Sequence, residues 1–260
     1  MATSNGTNTS LKETLLIAIP FAGGNSYSYN FLKSLLPPDV ILETLEYPGR
    51  GKKSRSPLVK QMDILIEDLL DQYQSIINKV KPHKIIIYGH SIGAVIGLAI
   101  LHILNKRNPA IMPEMAIFSG HGGPQLTIKR HLSALPSDQL IAYFESIGSL
   151  PTELIADAEL MDYILPILRN DLELYENYKS FYPEKLTLPI AVINGMQDNI
   201  LKKNIDSWEY ETLGKVEFHQ LEGHHFFMSQ YPAVFSALMV RLITNGIEER
   251  KASLANVLIN

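Results

Sequence analysis

Lys84 to Gly97 reads KIIIYGHSIGAVIG, and no other stretch constrains the fold of this chain as strongly. Ile85, Ile86, Ile87 and Tyr88 favour a strand and are apolar enough for burial on both faces. Gly89-His90-Ser91-Ile92-Gly93 then turns abruptly into a helix of small and apolar residues. A serine in this strand-turn-helix context is a G-x-S-x-G elbow, in which a strained backbone exposes Oγ at the top of a sheet while the flanking glycines keep side chains out of the crowded turn. The helix that follows aims its first N–H groups where negative charge would develop.

Around this elbow the chain alternates strand-like and helix-like segments. Thr14–Pro20 is a buried-type strand that runs into Phe21-Ala22-Gly23-Gly24, where paired glycines let a backbone N–H turn into a site. Ser26 or Ser28 would cap a short helix through about Leu36, stopped by Pro37-Pro38. Val40–Tyr47 is the next strand, and Leu58–Val80 carries the apolar stripe of an amphipathic helix. After the apolar helix Ile92–Asn105 come a strand at Met115–Ser119 and the flexible loop Gly120–Pro124. From 125 to 188 only helical patterns appear, at Ser137–Ser146, Leu160–Asn170 and Leu172–Tyr182. That insertion reads as a lid over the catalytic edge or, more plainly, as an added helical layer. Strands resume at Pro189–Asn194 and Lys215–Gln220, separated by a helix at Asn204–Glu211, and a helix from about Pro232 to Ile243 closes the domain. The reading is a core at 14–124 and 189–246 built on a mainly parallel sheet with helices on both faces. Residues 1–13 and 247–260 read as tails.

Acids and bases follow in a telling order. Asp198 lies in the loop after one late strand, and His225 in the loop after the next. Ser91, Asp198, His225 is the order of an α/β-hydrolase triad: the imidazole takes the serine proton near neutral pH, and the carboxylate fixes its tautomer. His224 is the rival base and Asp206 the rival acid, although Asp206 falls inside a helix pattern. The oxyanion donors expected are the N–H of Ile92 and that of Ala22 or its neighbour Phe21. His90, inside the elbow, is expected to pack under the turn, and His121 reads as a loop residue near the site. His83, His102, His131 and His219 are scattered at no ligand spacing, so no metal site is expected.

Composition narrows the class. The formal net charge of -4 argues against a nucleic-acid binder. The chain has no cysteine, which excludes disulfides, thiolate catalysis and thiolate metal sites, and suits a reducing compartment; the cytoplasm is the expected location. The polar N-terminus lacks the basic and apolar regions of a signal peptide, and no window is apolar enough to span a membrane.

Six motifs in order, PFAGG at 20–24, YPGRG at 47–51, GHSIG at 89–93, LRNDLELYENY at 168–178, GMQD at 195–198 and GHHFF at 223–227, closely resemble the type II thioesterases. These are stand-alone hydrolases that accompany non-ribosomal peptide and polyketide synthases. The resemblance covers about residues 14 to 243. It implies Ser91 as nucleophile, His225 as base and Asp198 as its partner, with the insertion as a mobile lid. It also implies an acyl or peptidyl carrier protein as partner, no cofactor beyond the phosphopantetheine that the substrate carries, and a monomer. Two positions depart from the family's pattern: Ile92 stands where methionine is common, and His224 where glycine is usual. Asp171 matches an acidic residue of the family and otherwise reads as a helix cap. Arg50, Lys52, Lys53 and Arg55, with Lys129 and Arg130, would meet an acidic carrier helix or would simply be solvated charge.

Overall fold

Short runs of isoleucine, leucine, valine and alanine make the sheet, because only a strand covered on both faces can bury every side chain it carries. In the computed structural model, which describes residues 13–124, 131–179 and 182–257, these runs are β1 (Thr14–Ile19), β2 (Val40–Thr44), β3 (Lys84–His90), β4 (Met115–Ser119), β5 (Ile190–Gly195) and β6 (Val216–Leu221). Every residue of β1, β3, β4 and β5 is buried. The six strands pair in parallel in the order β2-β1-β3-β4-β5-β6. The winding reverses between β1 and β3, so the loops leaving those two strands part there and open a crevice.

The helices are α1 (Met62–Val80), α2 (Ile92–Arg107), α3 (Ser137–Ser146), α4 (Thr152–Ile155), α5 (Ala158–Asn177), α6 (Lys202–Asp206), α7 (Phe227–Gln230) and α8 (Pro232–Val257). Alternation along the strands separates two cores. Ile17 and Ile87 face Leu65 and Leu69 of α1 and Leu98 of α2, whereas Leu16 and Ile86 face Phe235, Met239 and Leu242 of α8. This is the α/β-hydrolase architecture expected from the sequence. Between β4 and β5 the described residues form α3, α4 and α5.

Several boundaries differ from expectation. The helix expected from Ser26 or Ser28 is only a 3-10 turn at Asn30–Leu32. There Ser28 Oγ accepts the Asn25 N–H and Asn25 Oδ1 accepts the Tyr27 N–H, so side chains take backbone groups a helix would need. The first long helix starts at Met62, after a segment in which the Val59 carbonyl is held by Asn170 Nδ2 (2.9 Å). Leu160–Asn170 and Leu172–Tyr182 are not two helices: α5 runs unbroken from Ala158 to Asn177, with Pro166 on its exposed side. Asn204–Glu211 divides into α6 and a 3-10 turn at Ser207–Tyr210. The last helix continues past Ile243 to Val257, through most of the expected tail. Of the other expected tail, all but Glu13 lies outside the described residues.

Candidate active site

The elbow forms as its spacing demands. Ser91 sits at φ 56° and ψ −123°, a conformation costly for a side-chain-bearing residue, and its N–H donates to the Ser119 carbonyl at 2.8 Å. Gly93 has no room for a Cβ, which would lie 2.5 Å from the Ile19 carbonyl oxygen and 2.7 Å from that of Pro20. Helix α2 therefore starts directly against the end of β1, and Ile92 opens its first turn, where N–H groups have no partner within the helix.

His225 and Asp198 are brought together from neighbouring strand ends. His225 Nδ1 is 2.8 Å from Asp198 Oδ2, with the side chains 14% and 7% exposed. The loops that carry them are laced by Gln197, whose Oε1 accepts the Gly223 N–H (2.6 Å) and whose own N–H donates to the Gly223 carbonyl (3.0 Å). Sequence reasoning passed over Gln197; its place beside Asp198 in GMQD was the available signal. Ser91, Asp198 and His225 border one cavity of about 820 Å³, together with Ala22 and Ile92. The insertion supplies Tyr143 and Phe144 from α3, Ile147 just past its end, and Leu172 and Tyr175 from α5. The rivals are placed differently. His224 is exposed at the cavity wall, with its backbone N–H on Gln230 Oε1. Asp206 pairs with Lys202 at 2.6 Å on α6. Of the two candidates beside Ile92 for oxyanion contact, Ala22 borders the cavity, while the Phe21 ring packs edge-on against Tyr29, His90 and Phe226.

The loop after β1 is braced by residues that sequence reasoning missed or misplaced. Tyr29 Oη donates to the Ile19 carbonyl (3.1 Å) and Tyr47 Oη to the Pro20 carbonyl (2.6 Å). Asp171 is not a helix cap; it lies inside α5, 1% exposed, and its Oδ2 accepts the Gly23 N–H at 2.8 Å. Arg50 grips both carboxylate oxygens of Asp171 at 2.5 Å and is itself 3% exposed. It is therefore not part of a solvated basic patch, and Lys53 is tied to Asp68 at 2.6 Å. Lys52 and Arg55 remain exposed, and Lys129 and Arg130 lie outside the described residues.

The remaining histidines have structural surroundings. His90 is buried under the elbow with Nδ1 2.9 Å from Ser119 Oγ, which is also 2.9 Å from Tyr88 Oη. Burial, then the neighbouring His225 and His121, push it well below the usual histidine range, so it is neutral. His121 borders the cavity, with Nε2 2.9 Å from Tyr175 Oη and its carbonyl accepting from Trp208 Nε1 (2.8 Å). His102 stacks on Tyr182, His219 lies beside Glu217, and His83 and His131 are exposed. Among the described residues no group of three potential ligands gathers to hold a metal ion. No helix among them is long and apolar enough to cross a membrane.

This arrangement can activate a serine, hold a developing oxyanion and enclose an acyl chain. Residues 14–241 match the family model described as a thioesterase domain. The gramicidin S biosynthesis protein GrsT of Aneurinibacillus migulanus is 26% identical over 233 residues, covering 88% of this chain and 89% of that protein. ClbQ from the colibactin NRPS/PKS pathway superposes with a TM-score of 0.80 at 27% identity, over 90% of this chain and 98% of that one. YbtT, a type II thioesterase from the yersiniabactin NRPS/PKS pathway, gives 0.75 at 25% identity, over 95% and 97%.

Proposed function

The chain belongs to the thioesterase family, and from that premise we propose that it is a type II thioesterase serving a non-ribosomal peptide or polyketide synthase. Its substrate is an acyl group on the phosphopantetheine arm of an acyl or peptidyl carrier protein. One observation carries the reading: a serine at a strained elbow and a histidine 2.8 Å from its carboxylate border the same cavity beneath a helical insertion. The pathways named for GrsT, ClbQ and YbtT support the choice of substrate.

In this scheme His225 takes the proton of Ser91 Oγ as it attacks the thioester carbonyl, and Asp198 stabilises the imidazolium. The N–H groups of Ile92 and Ala22 hold the oxyanion, each worth about 10²–10³ in rate. The C–S bond breaks as the carbonyl re-forms. A thiol, with a pKa of about 8.5, needs less protonation to leave than an alcohol or amine, so deacylation becomes the slower half. The departing thiolate takes the proton from His225. Water then attacks the acyl-serine and gives its proton to the neutral His225, which passes it to Ser91 Oγ as the acyl–oxygen bond breaks and the free acid departs. The insertion acts as a lid that keeps bulk water from the acyl-enzyme. No cofactor of the protein's own takes part. The cytoplasm, suited to a chain without cysteine, is the compartment we assign.

Intact-mass spectrometry of an acyl-loaded carrier protein tests the reading. Wild type should remove the acyl mass and return the free thiol, and Ser91→Ala should not. An intact acyl carrier alongside cleavage of free esters would instead make the protein a carboxylesterase, and transfer of the acyl group to added alcohol would make it an acyltransferase.

A further inference from the structure

The turn leaving β1 has nearly all of its backbone groups engaged. The carbonyls of Ile19 and Pro20 take tyrosine hydroxyls, and Gly24 N–H donates to the Phe21 carbonyl at 2.9 Å. Gly23 N–H goes to Asp171, 148 residues further along the chain. Among the described residues, the N–H groups of Phe21 and Ala22 are the ones left without a partner in this turn. Leu168, one turn before Asp171 on α5, presses on the same point: a Cβ on Gly23, whose φ is +76°, would lie 2.6 Å from Leu168 Cδ2. Arg50 closes the assembly with its two-pronged grip on Asp171, its guanidinium 5.1 Å from the centre of the Tyr47 ring.

We propose that Asp171, locked by Arg50, is a positioning residue for hydrolysis: by holding the Gly23 N–H it fixes the Ala22–Gly23 peptide plane, the Gly24 N–H on the Phe21 carbonyl fixes the Phe21–Ala22 plane, and the two together set the direction in which the Ala22 N–H points beside Ser91. The role rests on the thioesterase reading above. An oxyanion donor works only within about 2.7–3.1 Å of the developing charge, so a rotation of this turn forfeits much of its effect without touching the substrate pocket. A helix of the insertion is therefore part of the catalytic frame. Motion of the insertion that preserves activity must hinge before Leu168.

The test uses the full chain with acetyl-, butyryl- and octanoyl-pantetheine, a trifluoromethyl ketone of matching chain as a mimic of the tetrahedral adduct, and the free acid as a ground-state probe. Two double variants remove the buried charges together, so neither leaves an orphan ion. Arg50→Met/Asp171→Asn keeps an acceptor for Gly23; Arg50→Met/Asp171→Leu does not. The leucine pair should lower kcat and weaken the trifluoromethyl ketone each about 10²-fold or more, with KM and free-acid affinity within about twofold. The asparagine pair should recover most of the lost kcat. Equal kcat for the two pairs, or a loss shared by KM and free-acid affinity, overturns the proposal. Should the leucine pair fail to fold by circular dichroism, Asp171→Thr with Arg50→Met, whose hydroxyl falls short of Gly23, is held to the same limits. Wild type inert towards all three thioesters overturns the thioesterase reading, and the positioning role with it, before any variant is made.

Discussion

Asp198 Oδ2 lies 2.8 Å from His225 Nδ1, while the adjacent His224 turns its side chain to solvent. That contact leaves Nε2 of His225 as the nitrogen free to act as base. Asp198→Asn should therefore lower kcat for an acyl-pantetheine about 10³–10⁴-fold with little change in KM. His225→Ala should be at least as damaging, and His224→Gly far milder, under about tenfold. The reverse ranking of the two histidines would make His224 the base.

Gly93→Ala tests how tightly the elbow is wedged against β1. The new Cβ would meet two backbone oxygens, Ile19 at 2.5 Å and Pro20 at 2.7 Å, and neither can swing away as a side chain would. We expect a loss of about 1–3 kcal/mol, the usual cost of overpacking. A thermal melt should show it as a drop of several degrees, with kcat falling as well because Pro20 leads directly into the turn that carries Ala22. A variant with wild-type melting and activity would mean that the two segments slide apart freely.

Acid should weaken the fold through its buried histidines. His102 stacks flat on Tyr182, with rings 4.0 Å apart and 7° from parallel, and burial brings its pKa down to about 4. His90 is pushed in the same direction. Both stay neutral in the folded chain, whereas the unfolded chain takes up protons below about pH 6.5. Their stabilisation is therefore whole above about pH 6.5 and, for His102, is lost as the pH falls towards about 4. Allowing for its partial exposure, His102 accounts for about 1–2 kcal/mol of that slope. His102→Phe, which keeps the stack, should flatten the decline in melting temperature across this range; an unchanged slope would clear His102 of the effect.

The parallel sheet was legible because buried strands must be apolar throughout, and Ile85–Tyr88 and Ile190–Ile193 are. The partners Asp198 and His225 were legible because each follows a strand in a fixed order. Arg50 and Asp171 were not. An arginine among Lys52, Lys53 and Arg55 carries the same local signal whether it faces water or a buried carboxylate, and the carboxylate lies 121 residues away. The continuity of α5 was hidden at Asp171, which reads locally as a helix cap between Leu160–Asn170 and Leu172–Tyr182 but is a buried carboxylate in mid-helix; Pro166, on the exposed side, is accommodated without a break. The 3-10 turn after β1 was not legible because a serine such as Ser28 carries the local signal of a helix cap, whereas Ser28 and Asn25 compete for their neighbours' amides.

The strand order also sets a timetable for the chain as it is made. Ser91 follows β3, in the middle of the sheet, and His225 follows β6 at its edge. At about 5–20 residues per second, the ribosome delivers the serine about 7–27 seconds before the histidine. Throughout that interval the nascent chain has its proposed nucleophile without its proposed base. In the proposed mechanism reactivity arrives only after the final strand, so a polypeptide interrupted before β6 should leave a thioester intact.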